Sequence, residues 1–220
     1  MLQTLRSLSQ LIYPPYCLIC SKAGERICNT CLKNWQQVIK IGKFDLIPQF
    51  FTNYYNPDSM KLILAAKEEG NALARKLLAT SILNSLNQAI NDLKLIGEIN
   101  LVSIPSRSSA VRKRGRSHID ELANEIVTNG KEMGFKITHQ KILHLIKKVK
   151  DQSNLNKHQR SQNMMGAYLA IAPKNSINNL IIIDDLITTG ASIHEGIRAL
   201  SVINLRPVAI ITACAVTAHL

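Results

Sequence analysis

The stretch IIIDDLITTGASI, Ile181 to Ile193, decides how this chain is read. Three β-branched residues run into two aspartates, a Thr-Thr-Gly turn follows, and a helix-like segment comes after it. With Leu180 in front, LIIID has the composition of a buried strand. In a parallel α/β sheet, ligands bind beyond the carboxyl ends of the strands. Asp184 and Asp185 fall at such an end, and Thr188, Thr189, Gly190, Ala191 and Ser192 make the strand-to-helix turn. Gly190 lets backbone approach a ligand closely, and the free amides at the start of the next helix suit a phosphate. The hydroxyls of Thr188, Thr189 and Ser192 add donors. The two carboxylates suit ribose hydroxyls or a shared Mg²⁺. The plainer alternative makes the acids helix caps facing solvent. Their fixed spacing to Thr-Thr-Gly-Ala-Ser, directly behind a buried strand, favours a site for a phosphorylated sugar.

The segments around this stretch alternate. Asn56-Pro57 opens a helix that Gly70 closes, and a second helix covers residues 71–95. INLVSIP, Ile99 to Pro105, reads as a strand, and Ser117 opens a helix ending near Gly130. FKI and ILHLI are short strand candidates, residues 147–163 read as a polar, basic loop, and a helix over residues 192–201 leads to a last strand, Pro207 to Val216. This order predicts a mostly parallel sheet with helices on both faces. Residues 40–56, rich in aromatics, are expected to form strands or a linker. The division expected is residues 1–40 as an N-terminal helix plus a small cysteine module, and residues 41–220 as the main domain.

The cysteine module rests on spacing. Four of the five cysteines follow the pattern Cys17-x2-Cys20-x7-Cys28-x2-Cys31. Each C-x2-C turn offers two thiolates to one ion, and two such turns complete a tetrahedral structural zinc site. The segment is too small to bury a core, so metal would supply its folding energy. Redox use of C-x2-C needs a βαβ context that the segment lacks. Cys214, in an apolar strand, reads as core.

At 220 residues and 46% hydrophobic content, the chain suits one medium domain with an appendage. No apolar run approaches the roughly 20 residues of a membrane span. The start, MLQTLRSLSQLIY, has the leucine spacing of an amphipathic helix over residues 1–12, not the unbroken apolar centre of a signal peptide. A cytoplasmic location is expected. The net charge of +12 points to an anionic partner.

Taken together, IIIDDLITTGAS resembles the phosphoribosyl pyrophosphate (PRPP) motif of type I phosphoribosyltransferases. With YPPYCLIC and CNTC near the start, AAKEEGNALARKLL around Lys67, VSIPSRSSAVRKRG at residues 102–115 and DQSNLNKHQRSQNMMGAY at residues 151–168, nearly the whole chain resembles the ComF family of competence proteins. The resemblance implies a zinc-binding N-terminal module on a phosphoribosyltransferase-like domain that takes PRPP with Mg²⁺. It also implies a role in natural transformation, handling incoming single-stranded DNA at the cytoplasmic side of the inner membrane beside the uptake machinery, with a helicase-like ComF partner. In transferases of this kind the turn after the strand ending at Pro105 holds pyrophosphate, which makes Ser106 and Arg107 candidates. The chain departs from the family at Arg114-Gly115-Arg116-Ser117, where an aromatic and Asn usually follow Arg-Gly, and at Lys147, where Arg is usual.

Two basic clusters remain. Arg112, Lys113, Arg114 and Arg116 follow the Pro105 turn; Lys147, Lys148, Lys150, Lys157, His158 and Arg160 fit a mobile loop able to close over the site. Each is either a solvated face or a contact for nucleic-acid phosphates, and Arg112, Lys113, Arg114, Arg116, Lys147, Lys148, Lys150 and Arg160 are the candidates for the latter. Tyr13, Tyr16 and Trp35 flank the cysteines and suit either base stacking or packing onto the domain, with packing favoured. The histidines show no metal-ligand spacing. Three functions are compatible: a DNA-handling module with a phosphoribosyl pocket, an active phosphoribosyltransferase, and a PRPP sensor without chemistry. No base-recognising segment follows Ser192, so transfer would need cover from elsewhere, such as the N-terminal module.

Overall fold

The structure, a computed structural model, describes residues 14–35, 38–147, 149 and 156–216. The helix expected over residues 1–12, Tyr13, Lys148, Lys150 and the side chains of Lys157 and His158 lie outside that description. The chain is α/β, and the order of its elements follows from local chemistry. Helix α1 (Asn29–Trp35) closes the cysteine segment. A hairpin of β1 (Lys40–Phe44) and β2 (Ile47–Tyr54) follows. Helix α2 (Pro57–Lys67) starts where Asn56 accepts from the amides of Asp58 and Ser59 and Ser59 answers, a capping box with Pro57 behind it. Gly70, at φ +70°, turns the chain into α3 (Ala72–Asp92), which Asn71 caps.

Strand β3 (Ile99–Ser103), helix α4 (Ser108–Arg114), helix α5 (His118–Glu132) and strand β4 (Ile137–His139) come next. Then follow β5 (Leu143–Leu145), α6 (Lys157–Met164), β6 (Tyr168–Ala170), β7 (Leu180–Ile187), α7 (Ala191–Val202) and β8 (Ala209–Ala215). The main sheet has the order β1-β2-β8-β7-β3-β4; only the β1–β2 hairpin is antiparallel. Strands β5 and β6 pair antiparallel as a separate ribbon.

The sheet is buried on both faces, which explains the unbroken apolar composition of its central strands. On one face Leu62, Leu78, Leu122 and Ile126 of α2, α3 and α5 share a core with Ile181, Ile183 and Ile211. On the other, Ile193 and Leu200 of α7 and Tyr168 of the ribbon share a core with Val102, Ile182 and Ile210. The cysteine segment joins the first core: Cys17, Ile19, Cys31 and Trp35 are buried in it. Trp35 Nε1 donates to Leu77 O at 3.4 Å and Lys61 Nζ to Ile19 O at 2.5 Å. The segment is therefore fastened to the α2–α3 face. Trp35 packs, and Tyr16 is the described aromatic of that region left exposed.

Two expectations are corrected. The polar segment expected as a loop over residues 147–163 contains α6, nucleated by a capping box between Asn156 and Gln159. Its polar composition carries no helical apolar period, so only the cap signals it. The strand expected to end at Asp184 runs on to Ile187, so both acids lie within β7 and not at its end.

Candidate functional site

Strand alternation sends adjacent side chains to opposite faces of a sheet, and this separates the two aspartates. Asp185, its side chain 8% exposed, reaches the helical face carrying α2 and α5. There its Oδ2 lies 3.6 Å from Lys67 Nζ and 3.2 Å from His118 Nε2. Asp184 is half-buried, and its Oδ1 accepts the Asp185 amide at 2.9 Å. Burial pushes the Asp184 carboxyl well above the usual carboxylate range, and neighbouring Asp185 pushes it further. Burial acts on Asp185 in the same direction, but Lys67 and then His118 outweigh it and hold that carboxyl well below the ordinary value. Lys67 is raised in turn, chiefly by Asp185. One acid is thus a fixed anion in an internal ion pair; the other is a carboxyl that gains its charge more readily when a cation or donor arrives.

Beyond β7, Gly190 at φ +74° forms the N-cap of α7, and no side chain caps that helix. Its first-turn amides are left for an anion. A Cβ at Gly190 would come within 2.2 Å of the Phe44 ring, which the β1–β2 hairpin lays against the turn. The glycine is required twice, by its dihedral and by this contact. Phe44 also packs against His194, with ring centroids 4.4 Å apart and the planes tilted by 49°.

The exit of β3 lies alongside, tied by the Ile104 amide donating to Ile183 O at 3.2 Å. A cleft of about 260 Å³ opens between the two strand ends, lined by Ser106, Arg107, Asp184, Asp185, Thr188 and Ser192. Thr189, Gly190 and Ala191 line an adjoining recess with Asp184, Thr188 and Ser192. The candidate ligand residues of the turn and of the β3 exit thus meet at one carboxyl edge. Tyr168 reaches across from the ribbon, its hydroxyl donating to Pro105 O at 3.4 Å; burial holds its phenol well above the usual value. Leu145, Val149 and Met164 add an apolar wall.

The basic residues divide. Arg112 and Lys113 are exposed on α4. Lys147 is exposed with Nζ donating to Met165 O at 3.1 Å, and Arg160 is half-buried on α6. Arg116 points inward: it donates to Ala66 O and Lys67 O at 2.8 Å each, to Glu121 at 2.7 Å, and packs on Gly70. It staples the end of α2 to α5. Arg114 pairs with Glu68 at 3.0 Å on the cleft wall. Sequence reasoning gave no role to Lys67, Glu68, His118 or Tyr168. They come from three places in the fold, the end of α2, the start of α5 and β6, and of the four only His118 lies outside the quoted motifs.

The second site is the cysteine cluster. The sulfurs of Cys17, Cys20, Cys28 and Cys31 all lie within 4.8 Å of one another, and Cys20 and Cys28 are 3.7 Å apart. A tetrahedron of zinc–sulfur bonds of about 2.3 Å has sulfur–sulfur edges of about 3.8 Å, so the four thiols fit such an ion. Burial raises the Cys17 thiol, but backbone amides of Cys20, Cys28 and Ile19 bring it down to about 6, whereas burial and the neighbouring sulfurs raise the Cys31 thiol.

No family model and no curated protein matches this chain. No helix among the described residues is long and apolar enough to cross a membrane.

Proposed function

We propose that this chain is a ComF-type protein of natural transformation: a phosphoribosyltransferase-like domain that binds PRPP with Mg²⁺, carrying a structural zinc module, and handling incoming single-stranded DNA. The observation that carries the ligand assignment is the convergence of Asp184, Ser106, Arg107 and the uncapped first turn of α7 on one cleft. The 5′-phosphate would sit on the amides of residues 189–192 and the ribose hydroxyls on Asp184. The pyrophosphate would lie toward Ser106 and Arg107, where Mg²⁺ offsets its charge. Asp185 holds Lys67 in place instead of touching sugar. The family departure at Arg116 has a physical account, since that side chain replaces an aromatic with an internal staple. The DNA assignment rests on the +12 charge and the exposed Arg112 and Lys113.

Isothermal titration with PRPP and Mg²⁺ tests the pocket. Saturable binding that Asp184→Ala abolishes is expected, and heats no larger than dilution would overturn it. Transfer to a nucleobase is the second reading. It is favoured by the apolar wall of Leu145, Val149, Met164 and Tyr168, which supplies cover from mid-chain where the sequence suggested the N-terminal module. Release of pyrophosphate across a panel of bases decides it, and silence across the panel leaves a binding function.

A further inference from the structure

The cleft wall contains a buried cation with incomplete hydrogen bonding. Arg114, at the end of α4, has a side chain only 4% exposed. Its Nη1 donates to Glu68 Oε1 at 3.0 Å, while Nε and Nη2 have no hydrogen-bond partner among the described residues. A guanidinium presents its donors in a rigid fork, and leaving them unmet in a water-poor place is costly. Lys67 lies close enough that Arg114 weighs against its charge, and both line the cleft with Ser106 and Arg107. Its partner among the described residues is weakly committed: the Glu68 side chain is 47% exposed and keeps much of its hydration.

We propose that Arg114 is a receptor for a diphosphate group, and that Glu68 is its internal competitor. The pair then sets the preference of the cleft for a diphosphate over a single phosphate. The unmet Nε–Nη2 edge, buried beneath the cleft surface, carries two parallel N–H groups, the geometry that grips adjacent anionic oxygens once the side chain turns to meet them. A single phosphate finds its donors in the α7 turn and does not need this wall. Glu68 holds Arg114 Nη1 at 3.0 Å, and its negative charge opposes the incoming anion. Arg114 is therefore a specificity residue of the cleft and not part of a nucleic-acid surface. The proposal rests on the phosphoribosyl pyrophosphate reading of the site, but inorganic pyrophosphate tests it independently.

The experiment titrates the full chain with inorganic pyrophosphate and, separately, with ribose 5-phosphate, both with Mg²⁺ at low salt. It compares the wild type with Arg114→Met, Arg114→Lys and Glu68→Gln. Arg114→Met is expected to weaken pyrophosphate binding by about tenfold or more and to leave ribose 5-phosphate within about twofold. Arg114→Lys recovers part of the loss, and Glu68→Gln tightens pyrophosphate severalfold. In ligand-free melts Arg114→Met unfolds at or above the wild-type temperature, because it removes a half-satisfied buried charge and strands only an exposed glutamate. Equal pyrophosphate affinity in wild type and Arg114→Met overturns the proposal. So does absent pyrophosphate binding in the wild type, or a loss in Glu68→Gln as large as in Arg114→Met, which marks the pair as merely structural. If ribose 5-phosphate fails to bind while the Arg114 effect holds, the phosphate-cradle reading falls and the receptor assignment stands.

Discussion

Asp184 and Asp185 are neighbours in sequence and opposites in electrostatics, and substitution should show it. Asp185 has its folded-state pKa lowered by Lys67 and His118 despite burial. Its stabilisation is therefore fully present above the unfolded carboxylate value of about 3.9 and is lost as pH falls through that value toward the depressed folded one. Asp184 has its folded pKa raised, so ionising it opposes folding at neutral pH. Asp185→Asn should lower stability at pH 7 by about 2 kcal/mol, since it leaves Lys67 and His118 without their buried anion. The deficit should shrink progressively as pH falls below about 3.9 toward the depressed folded value. Asp184→Asn should melt at or above the wild-type temperature while losing PRPP and Mg²⁺. Thermal melts across pH check both, and equal losses from the two variants would refute the division of roles. Gly190→Ala belongs at this scale too. A methyl at φ +74° directed into the Phe44 ring should cost about 2–4 kcal/mol. Gly190→Ala with Phe44→Leu should recover part of that loss in urea unfolding, because the ring is the obstacle.

At the scale of elements, the cysteine segment tests whether metal holds a local structure or the whole fold. Trp35 is the chain's single tryptophan, buried in α1 four residues after Cys31. Removing the metal should release α1 from Leu77 and expose the indole. Chelation is expected to shift tryptophan emission to the red with release of one zinc per chain, while far-ultraviolet circular dichroism keeps the signal of the sheet and its helices. Loss of both signals together would mean the segment is an integral wall of the core. The elements that sequence revealed best carry their own punctuation. Asn56-Pro57 and Ser117 mark helix starts, and the apolar run before Asp184 marks a central strand. The misread elements lack it: α6 is polar up to Met164 and betrayed only by Asn156 and Gln159, and β7 continues past two acids that look like a strand end. Buried carboxylates are rare in strands, and Asp185 is tolerated because Lys67 and His118 reach it from helices far away in sequence.

Across the whole molecule the site was half legible for the same reason. The turn of residues 188–192 and the four cysteines are contiguous patterns, so spacing alone points to them. The cleft wall is assembled by topology from α2, α4 and the β5–β6 ribbon, and no local pattern announces that Lys67, Arg114 and Tyr168 meet. The basic surface shows how topology also divides a run of like charges. Within one decapeptide, Arg112 and Lys113 face solvent while Arg114 and Arg116 turn inward to Glu68, Glu121 and the end of α2. On the proposed DNA function the outward pair is the one placed to release counterions, so the two pairs should respond differently to salt. For a single strand, the logarithm of affinity falls against the logarithm of salt concentration with a slope of about −0.7 per phosphate neutralised. Replacing Arg112 and Lys113 by alanine should weaken binding of a labelled single-stranded oligonucleotide and flatten that slope by about 1.4. Arg116→Lys should instead lower the melting temperature and leave the slope alone, because it loosens the α2–α5 staple and removes no contact to the strand. Fluorescence anisotropy across a salt series measures both. An unchanged slope in the double variant would move the proposed DNA surface off α4, to other exposed basic residues such as Lys147 beside the β5–β6 ribbon.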